Sequence, residues 1–216
     1  MHYGEVMHMG DTDFEFERRF LVTDLPRWVI DGNNPDVIVQ TYFLAKDGYA
    51  LRIRLQASQP EAELPLDIDG KDAITYFLPY FDLCVLTVKG PNIGGTRYEA
   101  ERPVDIGVGS QLCLLGGKTL AKRRYGTWIH EDGWVIDQFC GKNRPLVIAE
   151  CERTSPVVDL RIPSFCTVEI TEDSRFSNDE LVKHPYSGWS AEYFATGDHQ
   201  SSRFETGFGE NRPSSI

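Results

Sequence analysis

Residues Asp13 to Val22 read DFEFERRFLV. Glu15, Glu17 and Arg19 take every second position, with Phe14, Phe16, Arg18 and Phe20 between them. Successive side chains of a β-strand point to opposite faces, so the two acids and one guanidinium share a face. A half-buried strand with one wet side explains such alternation in a single segment. Here, however, the pattern recurs: Arg52 and Arg54 alternate with Leu51, Ile53 and Leu55, and Thr87 and Lys89 with Leu86 and Val88. Arg97, Glu99 and Glu101 again lie two apart, as do Lys122 and Arg124, and Glu150 and Glu152. Asp137 and Glu169 sit in further apolar runs. About seven strand-like segments thus carry arginine, lysine and glutamate on one face, where an ordinary sandwich would show a mixture rich in serine and threonine. A closed barrel with a charged lumen accommodates the pattern, because inward and outward side chains alternate along every strand and closure removes the edges.

A length of 216 residues fits one all-β-dominated domain with a few peripheral helices. The net charge of −11 argues against a broad nucleic-acid or membrane-binding surface, yet leaves room for a local anion site. Cys84, Cys113, Cys140, Cys151 and Cys166 show no metal-site spacing and lie mostly in apolar runs, as small buried hydrophobes do. Reduced thiols, no export signal at the start and no run of about 18 apolar residues lead to the expectation of a cytoplasmic protein.

Along the chain, residues 1–12 read as a flexible lead-in, 13–184 as the barrel domain and 185–216 as a tail that stays mobile unless its aromatics dock. A short helix is expected from Asp24 to about Ile30. The Asp47-Gly48 pair marks a hairpin. Residues 57–82 interrupt the strand pattern and read as an insertion packed partly on the barrel. Residues 105–117 are ambiguous, because Gly107 and Gly109 weaken a helical reading. A long hairpin is expected to turn around Glu131-Asp132-Gly133, and a helix to begin near Ser177 or Asn178. His130 and His184 read as solvated or structural, and no Ser/His/Asp set, P-loop or Rossmann fingerprint is present.

Arg52, Arg54, Lys89, Arg97, Lys122 and Arg124 together suit a polyanion, since arginine contacts phosphate through a planar fork and lysine through a compact charge. Glu15, Glu17, Glu99, Glu101, Asp137, Glu150, Glu152 and Glu169 are too many to serve only as their ion-pair partners. Carboxylates beside phosphate-binding bases suit Mg²⁺ or Mn²⁺, which prefer oxygen ligands shared with substrate phosphates.

The ordered segments EFERRFLV, LRIRL, LTVKGP, RYEAE, KRRYG, WVIDQFCG, LVIAECE and VEITEDSRFSNDELV resemble the CYTH family, the triphosphate tunnel metalloenzymes, over residues 13–184. The resemblance implies an eight-stranded antiparallel tunnel that binds a triphosphate with divalent metal. It implies hydrolysis of inorganic triphosphate or another triphosphate-bearing small molecule such as thiamine or nucleoside triphosphate, with cyclisation of ATP as the alternative. A homodimer is in keeping with the family. Glu15 and Glu17 match the glutamates of its ExExK signature, and the six bases match its triphosphate-binding set. Glu99, Glu101, Asp137, Glu150, Glu152 and Glu169 match acidic lumen positions, with the last three as the stronger metal or water-activating candidates. Glu17, Arg19, Glu150 and Glu152 are the catalytic candidates. Arg19 departs from the signature's lysine, and arginine does not release its proton at ordinary pH; a catalytically weak polyphosphate- or nucleotide-binding module is therefore a third reading.

Overall fold

The alternating segments form strands in the computed structural model, which describes residues 13–32, 34–197 and 204–214. In chain order they are β1 (Phe14–Val22), α1 (Arg27–Gly32), β2 (Asp36–Lys46), β3 (Tyr49–Ala57), α2 (Gly70–Phe77), β4 (Leu83–Lys89) and β5 (Thr96–Pro103). Then come α3 (Ile106–Leu115), β6 (Lys118–Ile129), β7 (Asp132–Phe139), β8 (Val147–Arg153), β9 (Arg161–Pro163), β10 (Cys166–Glu169), α4 (Asn178–Leu181), α5 (Ser190–Thr196) and β11 (Arg212–Ser214). The expected lead-in, residues 1–12, lies outside the described residues.

Eight strands close on themselves in the order β1-β5-β4-β3-β2-β6-β7-β8, with β8 returning to β1 and every neighbour antiparallel. This is the closed barrel expected from the charge pattern. One edge of β1 is divided: Phe14 to Phe16 pair with β5, and Phe20 to Val22 pair with the additional strand β10. Between these stretches Glu17 N donates to Gly95 O at 2.9 Å and Arg19 N to Thr171 Oγ1 at 3.1 Å. Gly95 has φ +70°, and a Cβ there would meet Glu17 O at 2.7 Å, so this closure requires glycine.

The apolar cores lie mainly outside the barrel wall. Phe20, Tyr125, Trp134, Ile136, Ala149 and Cys151 pack outward against α1 and the segment bearing Val157, Leu160 and Ile162. Val37, Val39, Ile53, Leu55 and Ala121 pack outward against Ala73, Ile74 and Phe77 of α2 and Cys113 of α3. A third cluster fills one end of the barrel: Leu21, Leu120, Phe139 and Ile148 meet Phe176, Leu181, Tyr186 and Tyr193. The aromatics of the tail therefore dock, with Trp189 and Tyr193 edge-on to Phe176 at 5.1 and 5.2 Å between ring centroids. All five cysteines are buried and free.

Several local expectations change. Within 57–82 the chain forms α2, whose N-terminus is capped by Asp69, and packs it on the outer wall. Residues 105–117 resolve as α3, because the Asp105 side chain accepts from Val108 N at 2.9 Å and apolar contacts offset the glycines. The β6–β7 turn falls at His130-Glu131, one residue earlier than expected, with Ile129 paired to Asp132 and His130 at φ +56°. Asp132 is held instead by the Arg153 fork at 2.7 and 2.8 Å, and Gly133 pairs with Trp128 inside the hairpin.

Candidate active site in the barrel lumen

Register decides which side chains enter the lumen. Directly opposed residues in an antiparallel pair lie on the same face, and Glu15 opposes Arg97, Glu17 opposes Glu152, and Arg19 opposes Glu150. Following these pairs around the barrel places Arg52, Arg54, Lys89, Glu99, Glu101, Lys122, Arg124 and Asp137 on the inner face as well.

Glu169 is the exception. It opposes Phe20 on the outer face, where Arg18 Nε and Nη2 donate to its carboxylate at 2.8 and 2.6 Å. Thr171 Oγ1 and Glu205 N also donate to it, each at 2.8 Å. The metal-side role expected for Glu169 is therefore corrected: it belongs to a buried pair that fastens β10 and the C-terminal segment to β1.

Of the residues singled out in the sequence, seven bases and seven acids lie on the inner face, interleaved rather than segregated, and Asp36, opposite Arg124, adds a further carboxylate. Lys89 Nζ lies 3.0 Å from Glu15 Oε2 and 2.6 Å from Glu99 Oε2, and Arg97 Nε donates to Glu15 Oε2 at 2.7 Å. Arg52 Nη2 donates to Glu99 at 3.2 Å, and Arg54 Nη2 to Glu101 at 3.0 Å. Across the lumen Lys122 pairs with Asp137, which also takes both arms of the Arg124 fork at 2.7 Å. Arg124 Nη2 reaches on to Glu150 at 3.0 Å.

Burial and neighbouring charge then divide the acids. Burial would raise Glu15, but Lys89 and Arg97 hold its carboxyl well below the usual range. Glu99 is pushed up to about 7 by burial, with Lys89 opposing and Glu15 reinforcing the rise. Asp137 is held at about 2, because Arg124 and Lys122 outweigh its burial. Burial and the Asp137 charge raise Glu150, and burial lowers Lys122 despite Asp137. Glu15 and Asp137 are thus firmly ionised, while Glu99 beside the first and Glu150 beside the second take protons more readily.

Four inner-face atoms are buried without a hydrogen-bond partner: Nε of Arg19, Arg52 and Arg54, and Oε1 of Glu17. Arg19 Nε and Arg97 Nη2 form ion pairs with Glu17 Oε1 at 3.5 and 3.6 Å, too long for hydrogen bonds. An unsatisfied buried donor or acceptor costs about 1–3 kcal/mol, so three N–H groups and one carboxylate oxygen are available to a ligand. Among the described residues no three His, Cys, Asp or Glu side chains gather as a cage for a metal ion. Glu17, with Glu152 opposite and Glu150 next along β8, fits a cation held by one or two carboxylates and completed by substrate phosphates, the usual arrangement for Mg²⁺.

Arg19 has a further contact. Its Nη2 donates to Thr171 O at 3.1 Å and its Nη1 to Phe176 O at 3.4 Å, joining β1 to the chain that fills the barrel end. Lysine has no planar fork with which to span two carbonyls. Arg19→Lys is expected to lower stability by about 1–2 kcal/mol in urea denaturation without raising phosphate release. A gain in turnover would show instead that the guanidinium limits the chemistry.

Tyr42, Gln40 and Thr87 also belong to the inner face: Arg52 Nη1 donates to Tyr42 OH at 3.4 Å, Tyr42 OH to Gln40 Oε1 at 3.4 Å, and Thr87 Oγ1 to Glu101 at 2.9 Å. Gln40 and Tyr42 escaped the sequence reading because β2 is uncharged from Val37 to Ala45. Their only signal was alternation with Val39 and Thr41. A cavity of about 490 Å³ lies elsewhere, on the cap, lined by Arg175, Glu180, Lys183 and Trp189 among others. Its charges are taken up locally by the Arg175–Asp173 and Lys183–Glu180 pairs, and none of the lumen acids or bases lines it.

No protein-family model matches the chain. A relative from Acetivibrio thermocellus, named inorganic triphosphatase, is 32% identical over 121 residues, covering 55% of this chain and 78% of the relative. The chain belongs to the CYTH family of triphosphate tunnel proteins. The crystal structure of an inorganic triphosphatase is similar in fold, with a TM-score of 0.50 and 24% identity over 81% of this chain and 96% of that one. In this CYTH protein the tunnel wall is the eight-stranded ring, and Leu64, Ala73, Ile74, Phe77 and Phe81 of the segment 57–82 pack on its outside.

Proposed function

We propose that the protein hydrolyses a triphosphate to orthophosphate and the shortened phosphate chain, with Mg²⁺ or Mn²⁺. The observation that carries this reading is the set of buried guanidinium Nε–H groups of Arg19, Arg52 and Arg54 that make no hydrogen bond, on a tunnel face that also presents Lys89, Arg97, Lys122 and Arg124. The naming of the relative as an inorganic triphosphatase supports the same substrate class.

With at least as many acids as bases on the inner face, no net positive charge is left for a polyanion. Glu17 and Glu152 would hold the divalent cation, which when bound neutralises phosphate charge and orients the chain. Arg52, Arg54, Lys89 and Arg97 bind the phosphate oxygens, exchanging part of their carboxylate contacts for phosphate. Lys122 and Arg124, fixed by Asp137, flank the attack side. Glu150, with its raised proton affinity, accepts the proton of the attacking water. The water oxygen bonds to the terminal phosphorus as the bridging P–O bond breaks, and the electron pair leaves on the remaining phosphate. Phosphate release from inorganic triphosphate, measured with Mg²⁺, with Mn²⁺ and with chelator, tests this reading. Metal-dependent release is expected, and no release under any of the three conditions would overturn it.

Glu99 gives the site a pH dependence. Lys89, Arg52 and Glu15 face it, and with a carboxyl pushed up to about 7 it is protonated below neutrality and ionised above. Ionisation adds a negative charge beside the phosphate sites, so triphosphate affinity is expected to fall as pH rises through 7. Calorimetric titration from pH 6 to 8.5 should show the fall in the natural chain and a flatter profile in Glu99→Gln, which also corrects for protonation of the triphosphate. Parallel profiles would mean that Glu99 does not govern binding.

A further inference from the structure

One inner-face column of β6 runs from the apolar plug to the opposite end of the tunnel: Leu120, Lys122, Arg124, Gly126 and Trp128. Leu120 is in the plug, Lys122 is fully buried, and Trp128 is 53% exposed. Its neighbour in sequence, Ile129, faces the other way and is buried in the outer core. The indole therefore stands at the end of the line of bases, on the tunnel side of the wall.

The β6–β7 register fixes what surrounds it. Trp128 opposes Gly133, and a Cβ on Gly133 would lie 3.8 Å from the indole, so part of the ring covers that glycine. Packing over a strand glycine is a common structural use of an aromatic, but it occupies only part of this ring. A Cβ on Gly126 would meet nothing within 4 Å, which leaves open space between Trp128 and Arg124. Beside Gly133, Trp134 pairs with Cys151, whose neighbour Glu152 opposes Glu17. Four residues along a strand span about 13 Å, room for a sugar or short linker between a phosphate at Arg124 and a ring at Trp128.

We propose that the tunnel takes an organic triphosphate whose aromatic group stacks on the exposed part of Trp128, rather than inorganic triphosphate alone. This rests on the triphosphatase reading above and narrows its substrate class. Every aromatic base or heterocycle has a π-face, so stacking selects for a ring without reading its identity.

The test compares kcat/KM for ATP and for inorganic triphosphate in the natural chain, Trp128→Ala, Trp128→Leu and Trp128→Phe. The ATP-to-triphosphate ratio is expected to fall about tenfold in the Ala and Leu variants and to stay near that of the natural chain in Trp128→Phe. Leucine keeps bulk over Gly133 without an aromatic face, so it separates loss of stacking from loss of packing. A ratio unchanged in Ala and Leu, whether both rates hold or fall together, would overturn the proposal. If the natural chain hydrolyses neither compound, the triphosphatase reading fails, and the same ratio taken from calorimetric Kd values still decides the role of Trp128.

Discussion

Glu17→Gln is expected to lower metal-dependent phosphate release from triphosphate by about a hundredfold or more. Removing a single preorganised group that stabilises charge in a transition state typically costs 10²–10³ in rate, and Glu17 is placed for such a role. Its Oε1 is buried and accepts no hydrogen bond, with Arg19 and Arg97 ion-paired to it only at 3.5 and 3.6 Å, whereas Glu15 is fixed by Lys89 and Arg97 and Asp137 by Lys122 and Arg124. Glutamine keeps the size and removes the charge, so the variant should unfold within about 1 kcal/mol of the natural chain. Rate measurements at saturating Mg²⁺, with urea unfolding as the control, check both halves. Undiminished turnover would remove Glu17 from the site. A large loss of stability would mean that its charge serves the Arg19 and Arg97 guanidinium groups rather than a ligand.

The second large effect concerns stability. Arg18→Met should destabilise the fold by about 3–5 kcal/mol, because it strands a buried carboxylate. Arg18 is fully buried outside the barrel, bonded to Glu169 through two nitrogens and to Asn211 Oδ1 at 2.9 Å, with its guanidinium 4.7 Å from the Phe208 ring centre. Thr171 Oγ1 and Glu205 N continue to serve Glu169 in the variant, which places the expected loss toward the lower end of that range. Arg18→Met combined with Glu169→Leu should recover much of it, since an apolar pair avoids the desolvation cost of two ions. Urea unfolding of the single and double variants gives the result. A double variant no more stable than Arg18→Met would mean that the pair contributes net stability beyond satisfying each partner's charge.

The barrel was legible because its signal is local: charges two residues apart mark one face of a strand without any knowledge of its neighbours. Fourteen named acids and bases reach the inner face for that reason. Glu169 did not, because it lies in a short strand whose face is set by pairing with Phe20, a contact across about 150 residues that local spacing does not encode. Nor could the sequence show that Arg18, which interrupts a row of phenylalanines, would find its carboxylate there. The β6–β7 turn was misplaced because Asp132-Gly133 has the composition of a hairpin turn, while the Arg153 fork on Asp132 draws that residue into the strand. The end-filling cluster was also hidden, since Leu21, Leu120, Phe139 and Ile148 come from four strands and meet only after closure.

That cluster has a consequence for traffic. Among the described residues one end is stopped by leucine, isoleucine and aromatic side chains, so the passage is blind there, and reactant and products share the opposite doorway. Orthophosphate and the shorter phosphate chain must retreat along the path by which the substrate came, past the same guanidinium groups that drew it in. The order of their departure, and how long the slower one lingers, then sets when the next molecule can enter.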